Sequence, residues 1–97
     1  MHLHQQNELT AAVDAYAQAI KHNPVDTAAY VNMGIALRQL GQFNSARLAY
    51  ECALELQQDD AAVFSNYGNL LADMLLFEEA EQAQKQALAL EPDNIGF

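Results

Sequence analysis

Three asparagines, Asn32, Asn66 and Asn69, are the side chains whose type and spacing point most directly to chemistry. A carboxamide donates and accepts at once, so a row of them can pair with the backbone of an extended peptide whatever its side chains. Asn32 and Asn66 stand 34 residues apart, and Asn69 follows Asn66 at a three-residue step, close to one helical turn. Asparagine is a mediocre helix former, so propensity alone does not account for it in mid-helix. The same residues have a plain structural use, bridging neighbouring helices, and the sequence leaves both readings open.

Groups better suited to catalysis are poorly arranged. The histidines are His2, His4 and His22; a two-residue step separates His2 from His4, which is poor spacing for a metal site on a helix. Solvent-exposed imidazoles are expected. Cys52 is the single cysteine, with no histidine in a catalytic pattern around it, so an inert thiol is expected. Asp59-Asp60 and Glu78-Glu79 resemble paired carboxylates, yet each pair falls at a helix end, where capping and solubility explain it. No phosphate-binding loop or dinucleotide glycine motif is present. The expectation is a non-catalytic chain with no metal and no cofactor.

Ninety-seven residues suit one small domain. A hydrophobic fraction of 52% against 18% charged residues allows a core and argues against disorder. Four Lys plus Arg face 13 Asp plus Glu, for a net charge of -9. A nucleic-acid reader needs a basic footprint, and an anionic membrane surface attracts one, so neither partner is expected. No apolar run approaches the ~18 residues of a membrane helix, and Met1 to Gln6 lack the layout of a signal peptide. One cysteine forms no internal disulfide, which fits a reducing cytoplasm. The acidity favours a neutral or basic protein or peptide partner, through encounter rate more than affinity.

What must position the asparagines is a repeat. Residues 27–60 align on residues 61–94 without a gap, with identities at Ala28/Ala62, Asn32/Asn66, Gly34/Gly68, Leu37/Leu71, Phe43/Phe77, Ala46/Ala80 and Ala53/Ala87 among others. Tyr30 aligns with Phe64. A further step back recovers half a copy, in which Ala12, Ala15, Tyr16, Ala19 and Ile20 match Ala46, Ala49, Tyr50, Ala53 and Leu54. The division expected is 1–26 as the second half of a truncated repeat, 27–60 and 61–94 as full repeats, and 95–97 as the start of another. That division suggests a piece of a longer array.

Each full copy divides into two amphipathic helices. Tyr30, Met33, Gly34, Leu37 and Leu40 recur at three- and four-residue steps, as one helix face requires. Gly41 supplies a C-terminal stop, and Phe43, Ala46, Tyr50, Ala53 and Leu54 form the face of a second helix. Asp26 and Asp60 precede first helices as N-caps, and Pro24 and Pro92 close second helices. Glycine at the same position twice, Gly34 and Gly68, predicts close helix contact there, with Tyr30 or Phe64 and Tyr50 filling the space beside it.

These positions resemble the tetratricopeptide repeat. The central copy offers Tyr30, Met33-Gly34, Leu37, Gly41, Phe43, Ala46, Tyr50 and Ala53; the last offers Phe64, Tyr67-Gly68, Leu71, Phe77, Ala80, Ala87 and Pro92. Gln58 replaces a final proline, Leu75 a turn glycine and Gln84 an aromatic, which predicts a less tightly packed third repeat. The resemblance implies an all-α fold: a right-handed α-solenoid of antiparallel helix pairs, about two and a half repeats and five helices.

It also implies a concave groove lined by first helices. The positions are Ala28, Val31, Asn32, Ile35, Arg38 and Gln39, then Ala62, Ser65, Asn66, Asn69, Ala72 and Asp73, with His4 and Gln5 from the half-copy. The segments around Asn32 and Asn66 are similar to the asparagine-ladder repeats of O-linked N-acetylglucosamine transferase, which grip extended peptides. A second family mode, a clamp for chaperone C-terminal carboxylates, fits poorly, since Ala28, Ala62 and Asn66 stand where its cations would be and Arg38 is the one groove cation. Three functions follow as expectations: a scaffold that binds an extended peptide, the substrate-recruiting or oligomerising arm of a larger enzyme such as a protein glycosyltransferase, and a self-assembly module acting through exposed terminal helix faces.

Overall fold

Two aspartates fix where the chain turns into its first helices. Asp26 accepts from the Ala29 amide at 3.1 Å, and Asp60 from the Ala62 amide at 3.0 Å, each relieving one free donor of a helix start. The computed structural model describes the backbone of residues 2–90 and the side chains of residues 6–90. Pro92, and the further repeat expected from 95, lie outside the described residues.

Five helices follow in order: α1 (His2–His22), α2 (Thr27–Gln39), α3 (Phe43–Leu56), α4 (Ala61–Asp73) and α5 (Phe77–Leu90). No strand occurs among the described residues. Each helix packs on the next, and α2 also reaches α4. The chain is an all-α stack of nearest neighbours, a helical solenoid.

The expected half-copy is occupied by a single helix, α1, which runs unbroken from His2 to His22. Asn7 stands where Gly41 stands one copy later, and without a glycine nothing forces a left-handed stop. His4 and Gln5 therefore belong to the same helix as Tyr16 and Ile20. Their side chains, like that of His2, lie outside those described.

The turn after α2 is a Schellman motif. Gly41 has φ of 80°, its amide donates to Arg38 O at 2.9 Å, and the Gln42 amide donates to Leu37 O at 2.9 Å. The turn after α4 repeats those bonds, from Leu75 to Ala72 O and from Leu76 to Leu71 O. Leu75 holds φ of 64° with a side chain in the way, a conformation that costs about 1–2 kcal/mol without glycine.

Small residues set the core. Ala46, Ala49 and Ala53 of α3 are buried with Leu37, Tyr50, Val63 and Leu70. A second cluster joins Leu71, Ala80 and Ala83. A Cβ placed on Gly34 would stand 3.0 Å from Tyr50 Cζ, so the ring seals that contact as expected. The expectation fails at Gly68. There the nearest atoms belong to Gln84, whose Nε2 would stand 2.6 Å from an added Cβ. The approach of α5 to α4 at this point is no looser than that of α3 to α2. Gln84 is drawn across the glycine because its amide donates to Ser65 O at 3.2 Å. Phe64 walls an open cleft. Phe77 is 63% exposed; its counterpart Phe43 packs on the first cluster, whereas no later pair lies among the described residues to cover Phe77.

Two stability outcomes follow. Gly34→Ala should lose about 1 kcal/mol net by thermal unfolding, because the buried Tyr50 ring cannot yield and overpacking outweighs the gain in helix propensity. Gly68→Ala should be near neutral, since the Gln84 amide can swing aside. Leu75→Gly should raise stability by about 1 kcal/mol, roughly 5 °C in Tm, because the side chain it removes is 72% exposed.

Candidate functional site

Most of the polar groove candidates lie on the faces of α2 and α4 turned away from the core. On α4, Leu71 is buried and Phe64 and Tyr67 are half-buried, while Asn69 and Asp73 are exposed and Asn66 half-exposed. These two sets each step by three then four residues, and two residues of offset turn one about 160° from the other. On α2, Asn32, Gln39 and Ala28 are exposed, and Arg38 is half-buried. Val31 and Ile35 are half-buried and pack against the first cluster, so they act more as wall than as free contacts.

Hydrogen bonding separates the three asparagines. Gln84 Nε2 donates to Ser65 O and to Asn69 Oδ1, both at 3.2 Å. A backbone carbonyl only accepts, so the amide nitrogen must face it. The second hydrogen on that nitrogen then meets the Asn69 oxygen, leaving the Asn69 NH₂ as a donor. Asn69 thus bridges α4 to α5. Among the described residues, the carboxamides of Asn32 and Asn66 have no such intramolecular partner.

Charge at the end of this face is neutralised. Arg38 Nε donates to Asp73 Oδ2, joining the ends of α2 and α4. The hydrogen bond to Asp73 and then its charge raise the Arg38 pKa, with burial opposing. Arg38, Gln39, Phe43 and Asp73 line a hollow of about 410 Å³. The one groove cation is therefore committed to a groove carboxylate.

A second network, not foreseen from the sequence, ties the same pairs together elsewhere. Arg47 Nη2 donates to Glu79 Oε1 at 2.8 Å and Nε to Glu51 Oε2 at 3.1 Å. Tyr67 Oη donates to that same Glu51 oxygen at 3.0 Å. Burial, then the bond to Glu51, push the Tyr67 hydroxyl pKa up. The four-residue step from Arg47 to Glu51 was a visible signal; the reach to Glu79 had none. Burial first, then the nearby Glu55 and Glu51, raise the Cys52 thiol, which disfavours the nucleophilic thiolate. Among the described residues no group of three or more metal-type ligands forms, and no helix is long and apolar enough to cross a membrane.

Stacked helix pairs with closely apposed small residues define a helical repeat array. The chain belongs to the tetratricopeptide-repeat family: models of the repeat match residues 2–41, 27–60 and 61–94. Among solved structures it is similar to MamA of MSR-1, at 26% identity and a TM-score of 0.83 over 90% of this chain and 50% of that one. It is also similar to the TPR domain of Arabidopsis OM64, at 25% identity and 0.85 over 90% and 72%. The first TPR of Spaghetti (RPAP3), bound to an HSP90 peptide, shares the fold at 24% identity and 0.85 over 90% and 69%. The chain spans about half the length of the MamA chains it matches. None of the curated proteins matches it.

Both partners of the Arg38–Asp73 pair are about one-third exposed, so a double-mutant cycle with Arg38→Ala and Asp73→Ala should give a coupling below about 1 kcal/mol that shrinks in high salt. A coupling of several kcal/mol would show that the pair is a structural linchpin instead.

Proposed function

We propose that this chain is a non-catalytic protein-interaction scaffold that grips an extended segment of a partner along α2 and α4. The observation that carries this reading is the pair Asn32 and Asn66, one repeat apart on successive first helices and without hydrogen-bond partners among the described residues. Carboxamides so placed can pair with successive peptide units. Asn69 adds a donor held in place by Gln84. The resemblance of these segments to the ladder of a glycosyltransferase supports the same use, as does the organisation we infer: half a repeat over 1–26, full repeats over 27–60 and 61–94, and a further start at 95–97.

The favoured ligand is neutral or basic. The HSP90 peptide held by the Spaghetti (RPAP3) domain ends on two glutamates, a valine and an aspartate. This chain offers such a tail little, because Arg38 is paired with Asp73 and alanines occupy positions 28 and 62. Exposed Phe77, Leu88 and Leu90 on α5 support a second reading, in which the end of the stack meets another repeat or another molecule. Service as the recruiting arm of a larger enzyme is compatible with both.

An array of unstructured peptides, probed with the wild-type chain and with an Asn32→Ala/Asn66→Ala variant of equal helicity, tests the groove. The wild type should retain peptides of varied sequence, and the variant should lose about tenfold in affinity, as two hydrogen bonds of roughly 0.5–1.5 kcal/mol imply. Equal binding by both would remove the ladder from the account and leave the α5 face as the working surface.

A further inference from the structure

The chain carries a second concavity that shares no residue with the groove set. An open cleft of about 430 Å³ lies among α3, α4 and α5, and it continues into a hollow of about 270 Å³. Phe64, Tyr67 and Gln86 line both. Its floor is aromatic, and its rim carries Glu51 and Glu55 at one end and Glu79 at the other. Arg47 compensates part of this charge by pairing with Glu51 and Glu79. Three carboxylates less one guanidinium leave two negative charges, and Glu55 is exposed and in no ion pair among the described residues.

We infer that this cleft is a docking site for a partner segment that presents an arginine or lysine beside an aliphatic side chain. The aliphatic part would lie on Leu54 and Leu71, removing apolar surface from water. The cation would meet the face of Phe64 or Tyr67 and the Glu55 carboxylate together, two attractions that favour arginine above all. The glutamine amides along the cleft can satisfy a partner's backbone. A second molecule of this chain is a poor occupant, because its net charge of -9 opposes an acidic rim. The inference is independent of the groove reading, since Phe64 and Tyr67 stand on the opposite face of α4 from Asn66 and Asn69.

The test is a fluorescence-anisotropy titration of the 97-residue chain with a labelled peptide of interspersed arginines and leucines, beside the same peptide with glutamate for arginine. The arginine peptide should bind and the glutamate peptide should not. Glu55→Lys should weaken binding about fivefold and Phe64→Leu, which keeps an apolar side chain and removes the ring, about threefold. Asn32→Ala/Asn66→Ala should bind as the wild type does. Loss of binding in the asparagine variant with none in Glu55→Lys would overturn the proposal and move the peptide to the groove. Equal weakening by Glu81→Lys, on the exposed side of α5 and outside the cleft, would overturn it by reducing the effect to net charge. A change in the chain's own solution mass on Glu55→Lys would overturn it in favour of a second molecule.

Discussion

The close approach of helices within each pair is the constraint on which the rest of this structure depends. At Gly34 an added Cβ would press on the Tyr50 ring, and at Gly68 on the Gln84 amide. Glycine on the first helix makes room for those side chains, and the small residues Ala46, Ala49, Ala53, Ala80, Ala83 and Ala87, all buried, keep the packed helices near one another. Alanine contributes little apolar area by itself, so each pair relies on its neighbour to complete the core. Val63 and Leu70 of the later pair accordingly share a cluster with Leu37 and Tyr50 of the earlier one. The stack is cohesive because no pair is self-sufficient.

Polar contacts decorate that stack rather than hold it. Among the described residues no polar or charged one is buried, and the four ion pairs found there are part-exposed to exposed, where such pairs contribute little. Their effect is to decide which charges remain available. Arg38 and Arg47 are spent on Asp73, Glu51 and Glu79, and Lys85 lies near Glu81. With most of its few cations engaged, the surface is acidic in practice as well as in sum. That bias works against acidic ligands on both faces of α4.

The fold was legible because its signals are local and periodic. Asp26, Asp60 and Gly41 punctuate helices by short-range hydrogen bonds and backbone preference, and a 34-residue identity pattern needs no tertiary knowledge. The stop after α4 was legible in frame but not in chemistry: Leu75 adopts a glycine's conformation because the Schellman bonds and the packing of Leu71 and Leu76 impose it. Of the site, the asparagines and the groove positions could be named in advance. Their states could not, because whether Arg38 finds Asp73, or Gln84 finds Asn69, is decided by contacts 35 and 15 residues apart in the chain.

Gln84 shows how one substitution links packing to recognition. The earlier repeat places a tyrosine ring over its glycine, an apolar seal that asks nothing of the first helix's polar face. The later repeat places a half-buried amide there, whose donor is satisfied when it finds acceptors on the first helix. It finds them in Ser65 O and Asn69 Oδ1, so the side chain that closes the pair also orients a groove carboxamide. A leucine or methionine would fill much of the same space and leave Asn69 free to rotate. The later repeat therefore presents a carboxamide held as a donor at Asn69, where the earlier repeat has Ile35. Under the groove reading proposed above, that asymmetry would give the bound segment a preferred direction along the stack.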